Sequence, residues 1–173
     1  MGGGRQLGGG GGRYDGYEML VFRHDPADPT SLSNNAVHVL LEDSRGTLWV
    51  GTENGLNSLD RRSQRFTRHS VTGLKPAGGL ILTCGFEDSR GRLWFGTSHG
   101  LLRRHPGTNR FDLFRREPDN PLSLAQSAVV GLDEDSTGGL WVATASEHAF
   151  TIHRVDEPGP VSRQEIHPNQ VLP

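Results

Sequence analysis

An eleven-residue motif that occurs three times constrains this chain more than any other feature. Its first copy reads Glu42-Asp43-Ser44-Arg45-Gly46-Thr47-Leu48-Trp49-Val50-Gly51-Thr52; the second runs from Glu87 to Thr97 and the third from Glu134 to Thr144. Trp49, Trp94 and Trp141 therefore stand 45 and then 47 residues apart. The flanks keep the same register: Arg23 to Leu32 aligns without a gap with Arg115 to Leu124, 92 positions later, which is 45 plus 47. Self-similarity at such a period marks a repeat protein, in which each unit is one supersecondary element.

A period in the forties, punctuated by Gly and Asp and with no helix-period stretch, fits a four-stranded propeller blade of about 40 to 50 residues. In the first complete unit the apolar run Ala36 to Leu41 reads as a strand buried on both faces. Asp43-Ser44-Arg45-Gly46 reads as a turn with a closing glycine at positive φ. Strands follow at Thr47 to Thr52, Leu56 to Asp60 and Arg65 to Ser70. The second unit gives strands at Leu80 to Phe86, Arg92 to Thr97, Leu101 to His105 and Arg110 to Arg115. The third gives Ala128 to Leu132, Gly139 to Thr144, Phe150 to Val155 and Val161 to Ile166. The expected fold is all-β: a partial β-propeller of about three complete four-stranded blades behind the tail of a preceding one. Residues 1–12 are a Gly-rich, disordered start; 13–35 are the preceding blade's tail and a connection; 36–79, 80–127 and 128–173 are the blades.

Within each unit some positions read as structural. They are Asp43, Gly46, Trp49 and Gly51, then Asp88, Gly91, Trp94 and Gly96, then Asp135, Gly138 and Trp141. Strand alternation puts Trp49 with Gly51, and Trp94 with Gly96, on one face, where the glycine makes room for a bulky residue of the next blade. The Glu-Asp pairs at 42–43, 87–88 and 134–135 point to opposite faces, so they do not converge as catalytic carboxylates would; turn-capping accounts for them better.

Composition excludes several classes. The 18 lysines and arginines include Lys75 as the one lysine, are spread among 20 acidic residues and leave a net charge of −2, which does not make a nucleic-acid-binding face. A single cysteine, Cys84, rules out an internal disulfide and a thiolate metal cluster. The histidines lack metal-ligand spacing, so no metal and no cofactor are expected. No serine, cysteine or lysine has a base at a recognisable spacing. No apolar run reaches the roughly 18 to 20 residues of a membrane span, and no secretory signal is visible at the N-terminus.

Binding groups are sought where loops of successive blades gather on one face of a ring. Asn54, His99 and His148 fall in the turn after the second strand; Asn34, Asn35, Gln126 and Ser127 end the longest connections, His24 to Asn35 and Arg116 to Ser127. Their amide, hydroxyl and imidazole groups suit a hydroxyl-rich ligand and suit loop capping equally. Convergent carboxylates for a carbohydrate-active propeller enzyme would come from Asp25, Asp28, Glu117 and Asp119.

Val37 to Leu56 resembles the repeat of the two-component regulator propeller family, whose units look like V-x-x-I/L-x-E-D-x-x-G-x-L-W-x-G-T-x-x-G-L. Gly85 to Leu101 and Val129 to Thr144 resemble it too, with Ala143 in place of a glycine and no Gly-Leu ending in the third copy. Gly12-Arg13-Tyr14-Asp15-Gly16-Tyr17 is similar to the family's blade tail and leads into an outer strand, Glu18 to Arg23. The resemblance implies a non-catalytic ligand-sensing propeller on the periplasmic or extracytoplasmic side of a membrane-bound receptor, with carbohydrate-type signals in some branches. A histidine kinase with its phosphorelay, or a diguanylate cyclase, would follow elsewhere in such a receptor. The alternative is a protein-protein interaction scaffold. Because three blades and a fraction are fewer than the roughly four to eight of a closed ring, the expected partners are missing blades or a second copy of the chain.

Overall fold

In the computed structural model the described residues are 20–70, 79–108, 110–146 and 150–155, with the backbone of 161–164. They hold twelve strands in chain order. The first sheet comprises β1 (Val37–Glu42), β2 (Leu48–Thr52), β3 (Gly55–Asp60) and β4 (Arg65–His69). The second comprises β5 (Leu82–Glu87), β6 (Leu93–Thr97), β7 (Gly100–Arg104) and β8 (Phe111–Phe114), and the third β9 (Ala128–Glu134), β10 (Leu140–Ala145), β11 (Phe150–Val155) and β12 (Val161–Gln164). Each sheet is a four-stranded antiparallel meander in sequence order. Among the described residues no helix is long and apolar enough to cross a membrane.

Each β1–β2-type hairpin is built by the same side chain. Asp43 Oδ1 accepts the backbone N–H of Arg45 (3.1 Å) and of Thr47 (2.8 Å), while Gly46, at φ 80°, donates its N–H to the Asp43 carbonyl at 2.8 Å. Asp88 with Gly91 and Asp135 with Gly138 repeat the arrangement. A left-handed backbone at the fourth position costs a non-glycine residue energy, which explains the glycine in all three motifs.

Innermost strands lie side by side, β1 beside β5 and β5 beside β9, so the sheets pack face to face around a common axis. One core cluster joins the first sheet to the second through Val39, Trp49, Leu56, Leu82, Phe95 and Leu102. Another joins the second to the third through Trp94, Leu101, Leu124, Val129, Leu140 and Val142. Close approach is possible because the second strands carry glycine. A Cβ at Gly51 would stand 2.6 Å from Leu82 Cβ of the next sheet, and one at Gly96 2.9 Å from Val129 Cγ1. Such distances are far inside van der Waals contact, so the slot exists only without a side chain.

Of the outer strand expected at Glu18 to Arg23, the described residues 20–23 carry no strand pairing. They are held by side chains instead, Phe22 packing edge-on against Phe66 at 5.1 Å between centroids. The blade tail at 12–17, the Gly-rich start, most of the 71–79 connection and His148 lie outside the described residues.

Candidate functional site

The carboxylates of the repeated motif divide their work. Asp43 Oδ2 accepts the Trp49 indole N–H at 2.9 Å, and Asp88 and Asp135 do the same for Trp94 (2.7 Å) and Trp141 (3.1 Å). Burial pushes Asp43 and Asp88 up, but these indole and backbone donors prevail and hold both carboxyls below the ordinary value. The neighbouring glutamate reaches across to the preceding sheet. Glu87 accepts the N–H (2.6 Å) and hydroxyl (2.7 Å) of Ser44, and Glu134 those of Ser89 (2.7 and 2.8 Å). These inter-sheet bonds were not foreseen from sequence, although the invariant Glu-Asp-Ser order was the available signal. Two further anchors were missed. Buried Asn57 accepts the Ser33 N–H at 3.1 Å, and His153 accepts the Ala125 N–H at 3.2 Å, each tying a connection to a third strand.

Of the loop residues proposed from sequence, the described ones, Asn34, Asn35, Asn54, His99, Gln126 and Ser127, share one end of the sheets. Asn34 Oδ1 accepts the Ala36 N–H and Asn35 Oδ1 the His24 N–H, both at 2.7 Å. The exposed Asn54 and half-buried His99 occupy matching turns, each N–H donating to the threonine two residues back, Thr52 (3.1 Å) and Thr97 (3.0 Å). Gln126 is half-buried and Ser127 exposed just before β9. Three of the four carboxylates that a carbohydrate-active enzyme would need are engaged in their own turns: Asp25 by Ala27, Asp28 by Thr30 and Glu117 by Asn120.

A cavity of about 290 Å³ lies instead at the opposite end, beside the first Asp-Ser-Arg-Gly turn. Its walls are Asp43, Arg45, Trp49, Ser58, His69 and Arg104, with Thr47 and Thr67. None of the loop residues above lines it. His69 tilts against Trp49 at 5.0 Å between centroids and its Nε2 pairs with the Ser58 hydroxyl at 2.8 Å. Arg104, from the second sheet, lies over the Trp49 ring at 4.9 Å. His69 Nδ1 and Arg104 Nε are shielded from solvent and have no hydrogen-bond partner. Burial, aided by the Arg104 charge, lowers the His69 imidazole to about 4. Burial also lowers Arg104, which Asp43 pulls back up and Arg45 pushes down.

Three consecutive four-stranded meanders, packed face to face about an axis, define the chain as a segment of a β-propeller. The model of the two component regulator propeller family matches residues 31–54 and 86–99, so two of the three repeats are similar to that family's. Among solved structures, the extracellular domain of hybrid two component system BT3049 from B. thetaiotaomicron is 26% identical, with a TM-score of 0.64 over 78% of this chain and 19% of that one. The extracellular domain of BT4673 from the same organism is 18% identical (TM-score 0.66, 82% of this chain, 18% of that one). Virginiamycin B lyase from Staphylococcus aureus is also 18% identical (TM-score 0.57, 78% and 42%). The latter two show the fold alone. This chain thus spans about a fifth of the extracellular domains it resembles. No curated protein matches it.

Proposed function

We propose that this chain is a ligand-sensing segment in the extracytoplasmic half of a membrane-bound two-component receptor, and that it does no chemistry itself. The observation that carries this reading is the likeness to the extracellular domain of a hybrid two component system, at 26% identity over 78% of the chain. A propeller offers rigid sheets with loops at both ends, which suits recognition better than catalysis. The test is the coding sequence beyond residues 1 and 173. Further blades, an apolar span of about 20 residues and a histidine kinase or diguanylate cyclase are expected; a reading frame with none of these would remove the proposal.

A scaffold reading draws on the two outer sheet faces. Val37 and Leu40 are 41% and 68% exposed on the side of the first sheet away from the second, and Val130 is 50% exposed on the third. Exposed apolar positions on open sheets call for a cover. Further blades or a second copy of the chain would supply it.

A further inference from the structure

We propose that the cavity walled by Arg45, Trp49, Ser58, Thr67, His69 and Arg104 binds a small carboxylate that also bears hydroxyl groups. This deepens the sensor reading by naming a ligand class, and rests on it only for the claim that binding there is the sensed event.

The repeat itself supplies the argument. Strand register makes Ser58, Thr67 and His69 of the first sheet equivalent to Arg103, Asp112 and Phe114 of the second. It likewise makes Arg104 of the second sheet equivalent to Val155 of the third. At the second interface those positions close the structure. Phe114 and Val155 pack into the core around Trp94, and the Arg103–Asp112 ion pair (2.6 Å) lies over the same indole. At the first interface the same positions hold two small hydroxyl residues, an imidazole and a guanidinium, and the space remains open. Backbone geometry does not require the opening, since the neighbouring interface is built on the same register and is filled.

Charge then selects the ligand. Two guanidiniums, Arg45 and Arg104, meet one carboxylate in the cavity wall, and Asp43 is already bonded to the Arg45 and Thr47 backbone and to the Trp49 indole. In the other repeats an arginine side chain completes the aspartate, Arg92 at 2.5 Å on Asp88 and Arg154 at 2.8 Å on Asp135. No described residue does so for Asp43. Glu87, in the small hollow next door, has its two oxygens taken by Ser44. Counting only the groups that wall this cavity, with Glu87 in the adjoining hollow, the excess is one positive charge, which a monoanion matches and for which a guanidinium fork is the donor. Ser58 and Thr67 hydroxyls offer partners to adjacent ligand hydroxyls. A volume of about 290 Å³ sits at the low end of ligand pockets, so the ligand is small.

The test is calorimetric titration of the 173-residue chain with gluconate, with sorbitol, which replaces the carboxylate by an alcohol, and with hexanoate, which lacks the hydroxyls. Gluconate is expected to bind at least about tenfold more tightly than either, and Arg104→Gln to weaken it by about tenfold or more. The double variant His69→Phe with Arg104→Val rebuilds the second interface's filling and is expected to abolish binding while leaving the melting temperature at or above that of the parent. The proposal falls if gluconate shows no heat up to about 10 mM, if sorbitol or hexanoate binds as well, or if Arg104→Gln binds unchanged. Arg104→Gln keeps the question answerable should the double variant not fold. Failure here leaves the coding-sequence test untouched, so the two readings fail separately.

Discussion

The interface between the first and second sheets and that between the second and third are two castings from one mould. Both seat a tryptophan bonded to the motif aspartate, both pass a core residue of the next sheet against a glycine, and both are spanned by a glutamate on a serine turn. They differ beyond the indole, where one ends in Phe114, Val155 and an ion pair and the other in His69, Arg104 and two hydroxyls. The shared parts set the spacing of the sheets. The unshared parts decide whether the space beside the tryptophan is core or cavity, so a binding site can be placed in a repeat without disturbing its frame.

Replacing the tryptophans separates the two cases most sharply. Trp94→Ala and Trp49→Ala should each cost about 3 to 5 kcal/mol. Trp94→Ala is expected to cost more, because Phe114, Val155 and the Arg103–Asp112 pair fill the space beside Trp94, whereas Trp49 borders the open cavity. Urea unfolding in which Trp49→Ala proves the costlier would reverse the ranking of the interfaces. Next comes the glycine slot. Alanine at Gly51 would meet Leu82 Cβ and Val39 Cβ, which cannot swing aside, whereas at Gly96 the nearest atom is the Cys84 sulfur, which can. Gly51→Ala should therefore lose about 1 to 3 kcal/mol, and Gly96→Ala less. Equal losses in thermal melts would show that side-chain mobility does not matter here.

The inter-sheet glutamates should make the interfaces look alike. Glu87→Gln and Glu134→Gln each weaken a pair of charge-assisted bonds at exposed turns, for a loss of about 1 kcal/mol apiece. A difference well above that between the two variants would mean the latches are not equivalent.

A pH dependence also distinguishes the first interface. Half-buried His69, facing Arg104, Arg45 and Asp43 across the cavity, takes up its proton only near pH 4 in the fold, against 6.5 for the free side chain. The unfolded chain binds more protons in that window, so the stabilisation is complete above about pH 6.5 and is lost as pH falls towards 4. His69→Phe should flatten the melting temperature between those values. An unchanged slope would assign the titration to another group.

Much of the architecture was legible in the chain. The 45- and 47-residue spacing, the Asp-x-x-Gly turns and the period-two strands locate the sheets because each is a local pattern, and neighbouring residues alone decide it. The family resemblance was legible from the same residues, and the matched segments 31–54 and 86–99 contain two of the motif copies. Less legible was the role of Glu87 and Glu134. Their partners lie 43 and 45 residues away on another sheet, which no local pattern reports.

The cavity was not legible at all. Long connections are visible in a sequence and point to the loop end, with Asn34, Asn35, Asn54 and His99. His69 and Arg104 lie in what read as ordinary outer and third strands, on different sheets. The sequence alone determined a chain of repeating antiparallel blades, since turn chemistry and strand alternation act over a few residues. Only the tertiary structure decided that His69, Arg104 and Ser58 stand around one tryptophan with open space between them, because that depends on which side chains successive sheets turn toward each other and on how much volume they leave unfilled.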